Sequence, residues 1–191
     1  MTARNEYALI TGASAGLGAE FARQLAAAGQ NLILVARRED RLSALAEELR
    51  AAHKIDCQLI VADLNEPGAG AQISSTCVSS GWQVSWLVNN AGVAGPDLLK
   101  DRDWAAQQTF FQLMMLSVAD LCHRMIPDMM ERRYGRVINV ASVAARVPRS
   151  GGCNYGPAKA YLVALSEELN LTVAALGVHV SALCPGFTHT D

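Results

Sequence analysis

Tyr7-Ala-Leu-Ile-Thr11-Gly12-Ala-Ser14-Ala-Gly16-Leu17-Gly18, followed by Ala19-Glu-Phe-Ala-Arg-Gln-Leu-Ala-Ala-Ala28-Gly29 and Asn31-Leu-Ile-Leu-Val-Ala36, decides the fold. The first five residues form a short apolar run that reads as a buried strand. It enters a turn with glycines at 12, 16 and 18. Strong helix formers come next, with Phe21, Leu25 and Ala28 on one face, and Gly29 suits the helix C-terminus. A second apolar run then begins at Asn31. Strand, glycine turn, helix and strand make one βαβ unit, and short connections of this kind predict a parallel sheet.

The alternation continues along the chain. Glu39 to Ala52 reads as a helix striped by Leu42, Leu45 and Leu49, and Asp56 to Ala62 as a strand. Pro67 to Ser80 is a shorter helix, with proline in its first turn. Val84 to Asn89 is a strand, Asp101 to Arg133 helix in two pieces, and Arg136 to Ala141 a strand. Asn154 to Leu176 is a long helix that Asn154 can cap, and Val178 to Cys184 is the sixth strand. Strands that are nearly continuous apolar runs are covered on both faces. The fold class is therefore α/β, a doubly wound parallel sheet in a single domain over residues 1–191.

The bulk properties narrow the function classes. Hydrophobic residues are 51% of the 191 and the net charge is −2, so neither nucleic acid nor an anionic membrane is an expected partner. No apolar run reaches the roughly 18 residues of a membrane span, and the N-terminus lacks a signal-peptide pattern, so the location expected is cytoplasmic. Five cysteines without a Cys-x-x-Cys pair read as reduced, packed thiols. The four histidines show no metal-ligand spacing, so no metal is expected.

Several segments fall at strand ends, where open α/β sheets bind ligands. Gly12, Ser14, Gly16, Leu17 and Gly18 sit where a pyrophosphate meets a helix N-terminus, although the spacing Gly-x-x-x-Gly-x-Gly departs from the widespread Gly-x-Gly-x-x-Gly. Arg37 and Arg38 follow the second strand, where an acid would select the ribose 2′-hydroxyl of NAD and an arginine the 2′-phosphate of NADP. Asp63 and Leu64 follow the third strand; Asp63 is suited either to an adenine amino group or to capping a loop. Asn90, Ala91 and Gly92 follow the fourth, where small residues admit a ligand or make a turn. Pro185, Gly186, Thr188 and Thr190 follow the sixth and could hold a carboxamide. Tyr155 and Lys159 share a helix face, and an ammonium beside a phenol favours the phenolate, which suits Tyr155 to exchanging a proton with a substrate oxygen. Ser142, at the end of the fifth strand, can hydrogen-bond the same oxygen. Alone, such a Tyr-x-x-x-Lys pair is ordinarily a packed ring and a solvated amine; the other segments give it weight.

In this order and spacing, Thr11-Gly12-Ala-Ser-Ala-Gly16-Leu-Gly18, Asp63-Leu64, Asn89-Asn90-Ala91-Gly92, Ser142 with Tyr155-x-x-x-Lys159, and Pro185-Gly186 resemble the short-chain dehydrogenase/reductase family over nearly the whole chain. The resemblance implies a Rossmann fold, NADP as cofactor, and a small-molecule alcohol or carbonyl substrate interconverted by hydride transfer. It implies Tyr155 as general acid/base, Lys159 on the nicotinamide ribose and lowering the tyrosine pKa, Ser142 orienting the substrate, and assembly as a homodimer or homotetramer. Two departures stand out. Met114 occupies the position where the family carries an asparagine that anchors a relay water, with Gln112 and Ser117 as the neighbouring polar groups. Family chains also continue past Pro-Gly into a substrate cover and a last strand, so this chain is expected to lack both. The alternative functions are an NADP(H)-binding or sensing protein with weak turnover, kept open by Met114, and a sugar-nucleotide epimerase or dehydratase, disfavoured by the glycine spacing.

Overall fold

In the computed structural model, which describes residues 5–148 and 151–186, strands and helices alternate as the sequence predicts. The elements are β1 (Glu6–Thr11), α1 (Gly16–Ala27), β2 (Asn31–Ala36), α2 (Glu39–His53), β3 (Cys57–Val61), α3 (Ala69–Ser79), β4 (Gln83–Asn89), α4 (Trp104–Phe111), α5 (Ser117–Glu131), β5 (Gly135–Val140), α6 (Tyr155–Val173) and β6 (Val178–Leu183). The strands form one sheet in the order β3-β2-β1-β4-β5-β6, and every pairing is parallel. The chain builds outward from β1 to β3, then crosses back to lay β4 on the other side of β1. That reversal leaves a crevice beyond the carboxyl ends of β1 and β4, where doubly wound sheets hold nucleotides.

Alternating side chains along the strands divide the core into two layers. Ala8, Ile10, Leu32 and Leu34 face α1 and α2, which contribute Ala22, Ala26, Leu42, Leu45 and Leu49. Tyr7, Leu9, Ile33 and Val35 face the opposite layer, built from α3, α5 and α6 with Ile73, Leu121, Met125 and Leu162. With both faces covered, the strands need no polar side, which is why they read as continuous apolar runs. Among the described residues no helix is long and apolar enough to cross a membrane, and none of the five cysteines is in a disulfide.

Three local expectations are corrected. The face of α1 against the sheet is Gly18, Ala19, Ala22 and Ala26, whereas Phe21 and Leu25 are half-buried at its border and Ala28 is exposed. Small side chains let that helix lie close to the sheet, and an apolar stripe drawn from large residues misses it. Helix α3 starts at Ala69, after Gly68 at φ 88°, so Pro67 lies before the first turn rather than in it. Between α4 and α5 the chain does not break: Gln112–Leu116 is a π-helical segment that carries α4 directly into α5. Such widened turns often mark functional sites, and this one contains Met114.

Candidate active site

Thr11, buried at the end of β1, locks the crevice together. Its Oγ1 accepts the backbone N–H groups of Asn90 (3.0 Å) and Ala91 (3.1 Å) and donates to the Val88 carbonyl (3.4 Å). Asn90 answers with its amide, donating Nδ2 to the Thr11 carbonyl at 3.0 Å and to that of Gly12 at 3.4 Å. This contact explains two of the glycines. A Cβ on Gly12 would lie 2.8 Å from Ala91 Cα, and one on Gly18 would lie 2.3 Å from the Gly12 oxygen and 2.5 Å from Asn90 Nδ2. Protein packing alone therefore requires glycine at 12 and 18, and Gly12 also lines the crevice. Gly16, at φ 54°, opens α1, and no side chain among the described residues caps that helix. Its first N–H groups and partial positive charge face the crevice. Thr11 was not among the site residues expected from the sequence; a hydroxyl ending an apolar strand is the signal that marks it.

At the far end of the crevice β2 closes on Ala36, and Arg37 and Arg38 follow it directly, with no acid until Glu39. Arg38 lays its guanidinium on Ser14, donating Nε and Nη2 to Oγ at 3.2 and 2.9 Å. Arg37 lies 3.6 Å from Asp63. The two roles considered for Asp63 resolve partly toward the loop, since Oδ1 accepts from the backbone and side chain of Asn65 at 3.0 and 2.8 Å. Leu64 is buried in the core and reaches the crevice wall at its edge.

At the near end β5 delivers Ser142, whose Oγ accepts the Ala144 N–H at 3.1 Å and so retains its own proton for a partner. The short turn Val143–Ala145 packs under the start of α6, where a Cβ on Gly156 would touch the Ala144 oxygen at 3.0 Å. That contact brings Ser142 and Tyr155 to the same wall. Lys159, only 4% exposed, donates Nζ to the Val140 carbonyl at 2.6 Å and lies 5.6 Å from the centre of the Tyr155 ring. Burial pushes its ammonium down to about 8, partly offset by Cys184. The Ala141 and Val143 N–H groups donate to Leu183 and Pro185, which fixes Pro185 and Gly186 beside the site. Thr188 and Thr190 lie outside the described residues.

Asn154 corrects another expectation. It stands at the N-cap position of α6 but its side chain makes no cap bond; it donates Nδ2 to Gln107 Oε1 at 3.1 Å instead. Cys153 Sγ accepts the Tyr155 N–H at 3.2 Å. Met114, 1% exposed, accepts the Val93 N–H on Sδ at 3.4 Å and packs against Gly92. Ser117 spends its proton on the Leu113 carbonyl at 2.7 Å, and neither it nor Gln112 lines the crevice.

The crevice is one cleft of about 1250 Å³ that runs from Ser14 and Arg38 to Ser142, Tyr155 and Lys159, above the roughly 300–1,000 Å³ of an ordinary small-molecule site. Among its described lining residues the cations are Arg37, Arg38, Arg146 and Lys159, and the one acid is Asp63. An elongated polyanion suits it, with a proton donor at one end.

Comparison with known proteins agrees. The family described as short chain dehydrogenase matches residues 6–191. Sulfoacetaldehyde reductase 2 of Chromohalobacter salexigens is 33% identical over 189 residues, 98% of this chain and 74% of that protein. The 3-oxoacyl-[acyl-carrier-protein] reductase FabG of Escherichia coli is 32% identical over 194 residues, 100% of this chain and 77% of that one. A short-chain dehydrogenase from Sphingobium yanoikuyae, solved in complex with NADPH, superimposes with a TM-score of 0.91 at 32% identity, covering 97% of this chain and 72% of its own.

Proposed function

The chain belongs to the short-chain dehydrogenase family, and from that premise we propose that it is an NADP(H)-dependent oxidoreductase that interconverts a small-molecule alcohol and its carbonyl compound. One observation carries this reading: a single cleft joins Ser14, Arg37 and Arg38 to Ser142, Tyr155 and Lys159.

The residues fit the cofactor on chemical grounds. Arg38 and Ser14 already meet through two hydrogen bonds, a donor set that suits a phosphate. The first turn of α1, with Gly16 and Leu17, would hold the pyrophosphate; Asn90, Ala91, Gly92, Pro185 and Gly186 would border the rest. Bound there, NADP(H) supplies or accepts the hydride. Tyr155 gives its phenolic proton to the carbonyl oxygen, or takes it back from the alcohol in the reverse direction. Ser142 donates to the same oxygen and orients it. The Lys159 ammonium stabilises the phenolate left on Tyr155. Assembly as a homodimer or homotetramer and a cytoplasmic location belong to the same proposal and are carried by the family likeness.

Binding of NADPH and NADH, followed by tryptophan fluorescence, tests the cofactor. NADPH should bind more tightly, and Arg38→Ala should shrink the gap by about tenfold or more, since hydrogen bonds to charged groups are worth roughly 1.5–3 kcal/mol. Equal affinities in the parent protein would refute the preference.

A second reading, an NADP(H)-binding protein with slow turnover, is favoured by one feature. A thioether occupies the place of a polar relay group, and the Ser117 hydroxyl is committed to Leu113. A reductase assay in which NADPH binds normally and no carbonyl compound is turned over would support it.

A further inference from the structure

Gln107 is a polar side chain sealed into an apolar wall. It lies on α4, 1% exposed, one turn before the buried Phe110. Its Oε1 accepts from Asn154, and its Nε2 has no partner among the described residues. A buried donor left unpaired costs stability, so a leucine of similar size would suit the fold better. What the amide does provide is a fixed bond to the residue immediately before Tyr155.

That bond acts at a sensitive point. The Asn154 carbonyl accepts the Ala158 N–H at 2.9 Å, opening the hydrogen-bond ladder of α6. One turn later Lys159 is pinned to Val140. The first turn, with Tyr155 at its head, is therefore held at both ends. On its outer side the Leu98 N–H donates to Gly152 at 2.6 Å and Asp97 bridges Cys153. A tyrosine hydroxyl lies far from its own Cα, so a small rotation of this turn moves the oxygen by much more.

We propose that Gln107 is a positioning residue: through Asn154 it fixes the first turn of α6 and so aims the Tyr155 hydroxyl. Gln107 touches neither substrate nor cofactor, and the proposal rests on the reading of Tyr155 as the proton carrier.

Gln107→Leu removes the acceptor and the unpaired donor at nearly constant volume. With NADPH and a carbonyl substrate, kcat should fall between about 10- and 100-fold, the order expected for a misplaced reacting group. The affinity for NADPH should stay within about twofold and Tm should not fall, a separation of rate from binding that a purely structural role would not give. Asn154→Leu, at a half-buried position, should lose rate alike even if the first variant folds poorly. Asn154→Asp should keep most of the rate, because the Gln107 amide can turn over and donate Nε2 to the carboxylate. The double Leu variant should be no slower than either single one. Hydrogen exchange should quicken at residues 155–159 and nowhere else in α6. A Gln107→Leu protein with unchanged kcat, a double variant whose losses multiply, or unaltered exchange at 155–159 would overturn the proposal. The exchange result decides it even for a protein that turns nothing over, an outcome that would count against the oxidoreductase reading alone.

Discussion

Lys159 places a cation where burial opposes it, and that has a measurable consequence. Its folded pKa is about 8, against an ordinary 10.5. Between those values the unfolded chain still holds the proton and the folded one has released it, so stability rises with pH across that interval. Below pH 8 both states are charged and the fold bears the full burial cost, about 3 kcal/mol for a drop of that size. Replacing Lys159 with methionine should therefore stabilise the fold most below pH 8, with the difference shrinking toward pH 10.5. Urea unfolding of both proteins across pH 7–10.5 reads this directly, and a pH-independent difference would show that the ammonium is not buried at cost. Met114 offers a second test. Met114→Asn removes buried apolar volume and should lower Tm, while a polar group beside Gly92 and Val93 should raise the turnover number and leave NADPH affinity unchanged. A lower Tm without a faster rate would identify Met114 as core filling. In the sequence Thr11 carried only the weak signal of a hydroxyl ending an apolar strand, and Gln107 carried none, because their partners lie 79 and 47 residues away.

At the scale of elements, the apolar runs located all six strands, and the five expected helical stretches, one of them in two pieces, cover all six helices to within a few residues. Continuous apolar runs such as Asn31–Ala36 leave little choice once both faces are covered. Two things escaped. The buried face of α1 is defined by the absence of bulk, which an apolar stripe does not register. The π-helical segment Gln112–Leu116 depends on how α4 and α5 pack, and its residues have no composition that announces it. The glycine turn is an element whose logic the structure sharpened. Gly18→Ala would drive a Cβ to 2.3 Å from the Gly12 oxygen, forcing backbone to move and costing about 1–3 kcal/mol, the range for overpacking. Thermal unfolding should show that loss, with NADPH binding weakened because α1 and the Asn90 turn move apart. A variant with unchanged Tm and affinity would mean the turn relaxes freely.

The whole molecule is a sheet that gathers six strand ends along one edge, and its chemistry follows from that gathering. Residues as far apart as Ser14, Arg38, Asn90, Ser142, Lys159 and Gly186 meet in one cleft because parallel strands all finish on the same side. Their placement was readable early, since all but Lys159, which lies on α6, follow shortly after an apolar run. The substrate was not, because the wall beyond Ser142 and Tyr155 offers small and apolar side chains with few directional groups. In the proposed mechanism this cleft binds NADP(H) at one end and moves a proton through Tyr155 at the other. The direct test is the turnover number of Tyr155→Phe against the parent protein, at saturating NADPH and on a carbonyl compound that the parent reduces. The phenol proton is all that this change removes, so the rate should fall by about 10²–10⁴-fold while NADPH affinity is retained. A variant that keeps most of its rate would contradict the mechanism.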